Sequence, residues 1–325
     1  MQILAKKADI SLERIGELSN LAEDLLQRAR TRGADQAELS LSESRGLNVA
    51  VRMGDVETVE YTRDRGLSLT VYFNQRKASA STADLSPAGL EATLDQACAI
   101  ARYTEADPMA GLADADRMAK RIEDYDRWHP WALDADAAIA IGIACEAAGR
   151  EADPRIGNSE GATVNTGESI AVYANSRGFV GGERGTSHSI ACSLIAGQGD
   201  AMQRDDWYTV GLAAGDLENP EQVGLRAAER ALRRLDPRSA PTGNCPVLFS
   251  AEMARSLIGH LLGAVSGGAQ YREASFLLGA VGEPLFPDWF AWRERLHIQR
   301  GFRSTSFDGN GVATVESNLV TGGTL

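Results

Sequence analysis

Residues 37–81, AELSLSESRGLNVAVRMGDVETVEYTRDRGLSLTVYFNQRKASAS, alternate apolar and polar side chains in short runs broken by turn residues. The runs fall at Ala37–Leu41, Leu47–Arg52, Val56–Thr62, Leu67–Phe73 and Lys77–Ser81. Turn pairs separate them at Arg45-Gly46, Gly54-Asp55, Arg65-Gly66 and Asn74-Gln75. A period of two with close turns predicts half-buried strands in an antiparallel meander. Upstream, Ile15, Leu18, Leu21, Ala22, Leu25 and Leu26 follow helical spacing and predict a helix over about Ile15–Arg30. Downstream, ADLSPAGLEATLDQACAIAR predicts a helix that begins at Ser86-Pro87, with a hydroxyl at the N-cap and proline at the first helical position.

The same order recurs. A helix is predicted over about Asp134–Glu151, then strands near Ala162–Val164, Ser169–Ala174, Ser187–Ala196 and Met202–Val210. A second closing helix begins at Asn219-Pro220 in GDLENPEQVGLRAAERALRRL. Tyr61…Arg65-Gly66 parallels Tyr173…Arg177-Gly178, and Asp84-Leu85 parallels Asp216-Leu217; the second copy adds a glycine-rich stretch around Gly181–Gly185. Two helix–meander–helix repeats, roughly 1–104 and 130–236, make the expected fold α+β, with antiparallel sheet and helices on one face. The stretch DPRSAPTGNCP, residues 236–246, is the best boundary. It divides an N-terminal α+β domain, 1–238, from the start of a mostly β C-terminal domain, 239–325. That second part ends at VTGGTL with no closing element, so its expected state is truncated or split.

The chain has 325 residues, 24% of them charged, and a net charge of −12, a balance that argues against nucleic acid as a ligand. Arg226, Arg230, Arg233 and Arg234 form its densest basic cluster, expected on a solvated helix face. The N-terminus lacks the apolar core of a signal peptide, and the longest apolar run, Ala137–Cys145, is too short to span a bilayer. Cys98, Cys145, Cys192 and Cys245 are scattered without a CxxC pair, as reduced core cysteines would be. These features together place the protein in the cytoplasm, away from membranes.

Few patterns carry chemistry. Gly157-Asn158-Ser159-Glu160-Gly161 spells G-x-S-x-G, but no buried strand precedes it and no helix follows, so Ser159 is not read as a nucleophile. The glycines of 178–185 do not fit a phosphate-binding loop. The acid pairs Asp124/Asp126, Asp134/Asp136 and Asp205/Asp206 lack a calcium-loop pattern. Glu294 and His297 could share a metal only on a helix, and no second ligand pair accompanies them.

Residues 247–272, VLFSAEMARSLIGHLLGAVSGGAQYR, predict a short buried strand and a helix from Ala251 to about Val265 opened by Ser250. A glycine-rich exit follows at Gly263, Gly267 and Gly268. His260 would share a face with Met253, Leu257 and Ala264, the place of a core histidine. Five positions upstream stands Arg255, a permanent cation, followed by Ser256; neither is a zinc donor of the usual kind. Residues five apart sit roughly 140° apart around an α-helix, so a shared metal would also need a widened turn.

The run VLFSAEMARSLIGHLLGAVSGGAQYREASFLLG, with LFPDW and SFDGNGVAT, resembles the PmbA/TldE branch of the TldD/TldE metallopeptidase family. In the TldD branch the equivalent helix carries an H-E-x-x-x-H zinc motif. Laid on it, this chain has Arg255 for the first histidine, Ser256 for the glutamate and His260 for the second histidine. The resemblance implies a non-catalytic chain without a metal of its own, His260 being a vestigial ligand position. Zinc and hydrolysis would reside on a TldD-like partner in a heterodimer that cleaves unfolded or extended peptides. The rival expectation is a regulatory module without proteolysis, of the gyrase-modulator kind. Family members continue past position 325 into a segment that supplies a further zinc ligand in TldD.

Overall fold

The computed structural model describes residues 10–325. The N-terminal stretch read for signal-peptide character lies, through residue 9, outside the described residues. The first repeat comprises α1 (Ile10–Thr31), β1 (Gln36–Arg52), β2 (Asp55–Phe73), β3 (Arg76–Thr82) and α2 (Pro87–Ala101). The second comprises α3 (Ala135–Glu151), β4 (Ile156–Asn175), β5 (Phe179–Ala196), β6 (Gln203–Gly211) and α4 (Pro220–Arg233). Helices α2 and α4 start where Ser86-Pro87 and Asn219-Pro220 predict, whereas α1 begins at Ile10, ahead of the expected Ile15. Ser86 Oγ accepts from Gly89 N at 3.2 Å, Asp134 Oδ1 from Ala137 N at 2.8 Å, and Asn219 Oδ1 from Glu221 N at 2.8 Å.

The two meanders join into one six-stranded antiparallel sheet of order β3-β2-β1-β4-β5-β6, so the fold is α+β and the repeats meet at a β1–β4 seam. Fewer, longer strands replace the short runs read from sequence. Arg45-Gly46 and Arg65-Gly66 are not turns: β1 and β2 pair continuously through them, Gly46 facing Thr62 on one side and Gly167 on the other. Gly46 is there for space, since a Cβ would come within 2.9 Å of the Thr166 carbonyl oxygen. The chain reverses at Met53-Gly54 (φ 55° and 86°) and Asn74-Gln75 (φ 50° and 64°). Two successive positive φ angles are the mark of a tight hairpin whose twist matches its strands. The two runs at Ala162–Val164 and Ser169–Ala174 likewise belong to one strand, β4. The paired tyrosines are not counterparts: Tyr61 lies mid-β2 and Tyr173 near the end of β4. The Gly181–Gly185 stretch sits inside β5, where Ile15, Phe307 and Arg127 pack directly on the backbone.

Register fixes which face each side chain takes, because alternate residues point to opposite faces. Leu39, Leu41, Val49 and Val51 of β1 share a face with Ala174, Val172, Val164 and Ala162 opposite them on β4. All four main helices lie over this face, in two pairs. Leu18, Leu25, Leu90 and Leu94 of α1 and α2 cover Leu39, Leu41, Leu69 and Val71. Ala138, Cys145, Val223 and Ala227 of α3 and α4 cover Val49, Val164, Ile190 and Leu194. The α3–α4 crossing is very close: a Cβ at Gly149 would sit 2.6 Å from the Gly224 carbonyl oxygen, and one at Gly224 would run into that of Cys145. Within this layer the Cys192 thiol, hydrogen-bonded to Cys145 and buried, is pushed up and away from thiolate chemistry.

The opposite face carries polar residues and is covered at one end only. Glu38 lies there, accepting from Tyr72 Oη at 2.7 Å and Tyr173 Oη at 2.8 Å, which ties β2 and β4 to β1. Met118, Tyr173, Phe179 and Phe307 form a small cluster over this end. Phe307 belongs to residues 296–314, which form one compact unit with the described residues up to Asp236. The boundary expected near 238 therefore leaves out a return of the chain. The SFDGNGVAT hairpin, placed by sequence in the C-terminal domain, packs in the first unit, where Ala119 N donates to Gly311 O at 3.0 Å.

The second unit comprises residues 237–295 and 315–325. It contains α5 (Ala251–Val265), α6 (Gly267–Tyr271) and a short antiparallel pair of β7 (Trp292–Glu294) and β8 (Ser317–Val320). No strand forms at 247–249; Leu248 is 98% exposed, against the expectation of a buried strand. Among the described residues no helix is long and apolar enough to cross a membrane.

Candidate functional site

Two places concern function: the α5 helix singled out by sequence, and a cavity on the sheet that the sequence did not signal. Helix α5 is α-helical throughout, with no widened turn between Arg255 and His260. Ser250 occupies its N-cap position without a side-chain cap bond; its carbonyl accepts from Met253 N at 3.0 Å and Ala254 N at 2.7 Å. Ser256 Oγ donates back to Met253 O at 2.6 Å, so its hydroxyl serves the helix backbone. His260 is exposed, as are Met253 and Leu257, whereas Leu261 and Ala264 are buried. The core placement expected for His260 is therefore corrected: within the second unit, the buried stripe of α5 lies one position further on. Zinc needs several neutral-nitrogen, thiolate or carboxylate donors converging on one point. Arg255, Ser256 and His260 do not fit that requirement. No group of three His, Cys, Asp or Glu side chains with metal-binding geometry occurs among the described residues.

The other candidates resolve into structural roles. Ser159 is buried in β4; its Oγ accepts from Gly161 N at 2.8 Å and donates to Ser193 O at 3.4 Å, serving an irregular stretch of the strand. Glu294 lies in strand β7, not on a helix, and His297 stacks on Tyr125 at 5.9 Å between centroids. The arginine cluster lies on an exposed face of α4, as expected, with Arg230 half-buried. Arg226 lies 3.8 Å over the Trp207 ring and Arg230 5.3 Å, while Arg230 Nε and Arg234 Nε hold Asp205 at 3.1 and 2.6 Å. Burial works to raise Asp205, but the two arginines and the Asp206 amide outweigh it and lower it.

The cavity, of about 580 Å³, lies over the β1–β4 seam in the first unit. Its floor comes from the polar face of the sheet in three rungs. They are Glu60–Asn48–Asn165, Thr62–Gly46–Gly167–Ser187 and Ser44–Ser169–Gly185. Small residues at the seam keep the floor low. Phe302 and Arg303 line one end, and Arg127 reaches in over Gly185, where a Cβ would meet its guanidinium at 3.3 Å. Arg127 is anchored from Nη1 to Ser304 O at 2.8 Å, and its own carbonyl accepts from Thr186 N at 2.9 Å, occupying the free edge of β5.

Two residues of the cavity lining each carry a buried polar atom without a partner. Asn48 Oδ1 and Arg127 Nε are the buried side-chain polar atoms without a hydrogen bond among the described residues. Leaving such a group unpaired costs about 1–3 kcal/mol, and both atoms are closed to solvent, so neither opens onto the cavity. Beneath the floor, His188 is fully buried: its Nε2 lies 3.0 Å from His129 O and its Nδ1 2.8 Å from Thr166 Oγ1. With the carbonyl able only to accept, Nε2 donates to it while Nδ1 pairs with the Thr166 hydroxyl, so both nitrogens of this histidine are satisfied.

Three domain models match the chain in order: PmbA/TldA metallopeptidase domain 1 at residues 37–101, the central domain at 128–235 and the C-terminal domain at 242–325. The chain is 42% identical over 292 residues to the metalloprotease PmbA of Escherichia coli, covering 90% of this chain and 65% of that protein. It thus spans just under two thirds of that relative's length. It is 34% identical over 308 residues to a metalloprotease PmbA homolog of Buchnera aphidicola, covering 95% of this chain and 69% of the homolog. Among solved structures, a putative modulator of DNA gyrase from Bacteroides thetaiotaomicron superposes with a TM-score of 0.90 at 26% identity, covering 95% of this chain and 71% of that one.

Proposed function

Because this chain belongs to the PmbA/TldA metallopeptidase family, we propose that it is the non-catalytic, TldE-like subunit of a heterodimeric peptidase. Zinc and hydrolysis would belong to a TldD-like partner, and the substrate would be an unfolded or extended peptide in the cytoplasm. The observation that carries this reading is the donor chemistry of α5. Arg255 presents a guanidinium, which is no zinc donor, Ser256 is bonded to its own helix, and His260 stands exposed with no convergent group of donors among the described residues. A helix so built cannot hold zinc by itself, and no hydrolytic step is assigned to this chain.

A regulatory role without proteolysis is the alternative, prompted by the gyrase-modulator description of the Bacteroides structure. The net charge of −12 disfavours direct contact with DNA, though not with a protein. Metal analysis and peptidase assays decide between the two. The purified chain is expected to carry no stoichiometric zinc and to leave an unstructured peptide intact. Adding a TldD-like subunit should produce cleavage that a chelator abolishes. One zinc per chain, lost in His260→Ala, would overturn the proposal; zinc-free, inactive mixtures with every TldD-like subunit would favour the regulatory role.

A further inference from the structure

The sheet leaves one long edge open. Strand β3 pairs with β2 over Leu67–Phe73 only, so Asp55–Gly66 of β2 has β1 on one side and no strand on the other. Every residue from Asp55 to Arg65 is exposed, and among the described residues no loop backbone bonds their outer side. A row of unpaired N–H and C=O groups is a template for another strand, and proteins ordinarily blunt such edges. We propose that this edge pairs antiparallel with the same edge of a second copy of the chain, about a two-fold axis at Glu60. The proposal rests on the strand alone and does not depend on the peptidase-subunit reading.

The side chains choose the occupant. The stretch reads DVETVEYTRDR, residues 55–65, and it is complementary to itself when turned end for end. Centred on Glu60, Val59 meets Tyr61 of the other copy, Thr58 meets Thr62 and Glu57 meets Arg63, each pair occurring twice by symmetry. Val59 and Tyr61 lie on the helix-bearing face, opposite Val49 and Leu47 of β1, yet they are 40% and 69% exposed. Glu57 and Arg63 make no ion pair among the described residues. Aromatic with β-branched, threonine with threonine and acid with base are the cross-strand pairs that stabilise antiparallel strands. The backbone sets the same centre. The free stretch runs from the reversal at Met53-Gly54 to Leu67, where β3 ends, so two copies overlap along its whole length only near Glu60. One pair opposes this register: Glu60 meets itself on the polar face. An extended peptide of arbitrary sequence would meet the backbone groups but not this alternation of charge.

The test is sedimentation velocity with the full chain alone at micromolar concentration, combined with a charge swap. The wild-type chain is expected to sediment as a dimer. Arg63→Glu places Glu57 opposite a second acid and should weaken the dimer about tenfold or more, and Glu57→Arg should do the same with two bases. Mixing the two variants restores both ion pairs, so the mixture should dimerise where neither variant does by itself. Glu60→Gln removes the like-charge pair and should tighten the dimer. All three positions are exposed, so melting temperatures of the monomers should match, and a variant that fails to fold leaves the other substitutions to decide. A monomeric wild-type chain, a dimer indifferent to Arg63→Glu and Glu57→Arg, a mixture that stays monomeric, or a Glu60→Gln dimer no tighter than wild type overturns the proposal. Each of these results leaves the subunit role standing, because no TldD-like chain, zinc or peptide is present. Conversely, loss of cleavage in every reconstituted pair would sink the subunit role and leave the self-pairing edge untouched.

Discussion

Glu146 is a buried carboxylate that joins the two repeats of the first unit. It is fully buried on α3, and its two carboxylate oxygens accept from Met53 N and Gly54 N, each at 2.8 Å. Those amides belong to the β1–β2 hairpin turn, so one carboxylate pins the tip of a hairpin to a helix of the other repeat. Glu146→Ala leaves both amides without their partner, and the expected loss is about 3 kcal/mol in urea denaturation. Glu146→Gln keeps one acceptor and should lose about half of that. Nothing in the sequence announced this role. Glu146 sits in an apolar stretch, IACEAAGR, where it would ordinarily be taken as the solvated side of a helix. His260 erred in the other direction, because helical periodicity places a residue on a stripe without saying whether anything covers it.

At the scale of elements, the helix boundaries were legible because capping is local. Ser86, Asp134 and Asn219 each bond the first turn of their own helix. The strand count was not, because a glycine between alternating residues reads as a turn whether the chain reverses or a neighbouring strand crowds it, as at Gly46. The α3–α4 contact shows the same ambiguity. Gly149 and Gly224 look unfavourable inside helices, yet they are where the two backbones meet. Helix propensity alone favours Gly224→Ala by about 1 kcal/mol. The clash with the Cys145 carbonyl opposes it and should prevail, since overpacking costs about 1–3 kcal/mol. A lowered melting temperature is the expected result, and a raised one would show that the helices separate freely.

At the scale of the whole molecule, the linear order of the chain hides how its first unit is completed. Residues 296–314 come back to it: Arg300 N donates to Tyr125 O at 2.8 Å, Arg127 Nη1 to Ser304 O, and Phe307 stacks edge-on against Phe179 at 5.1 Å. A single protease cut within 237–246 should therefore leave both fragments together on size-exclusion chromatography under native conditions, and separation at neutral pH would refute this. The seam cavity was hidden for the same reason, since its floor, Asn48, Asn165 and Ser187, comes from strands of both repeats. The seam also shapes the order of folding. Each repeat closes from hairpins of adjacent residues, but β1 meets β4 only by joining Glu38 to Asn175 and Val51 to Ala162, across an intervening helix and linker. Loop-closure entropy penalises such pairing until both partners are formed. Each apolar layer draws on both repeats, Val172 and Ala174 of β4 joining the first and Val49 and Val51 of β1 the second, so neither is complete until the seam closes, and a chain still emerging during synthesis holds β1 as an open edge until β4 arrives.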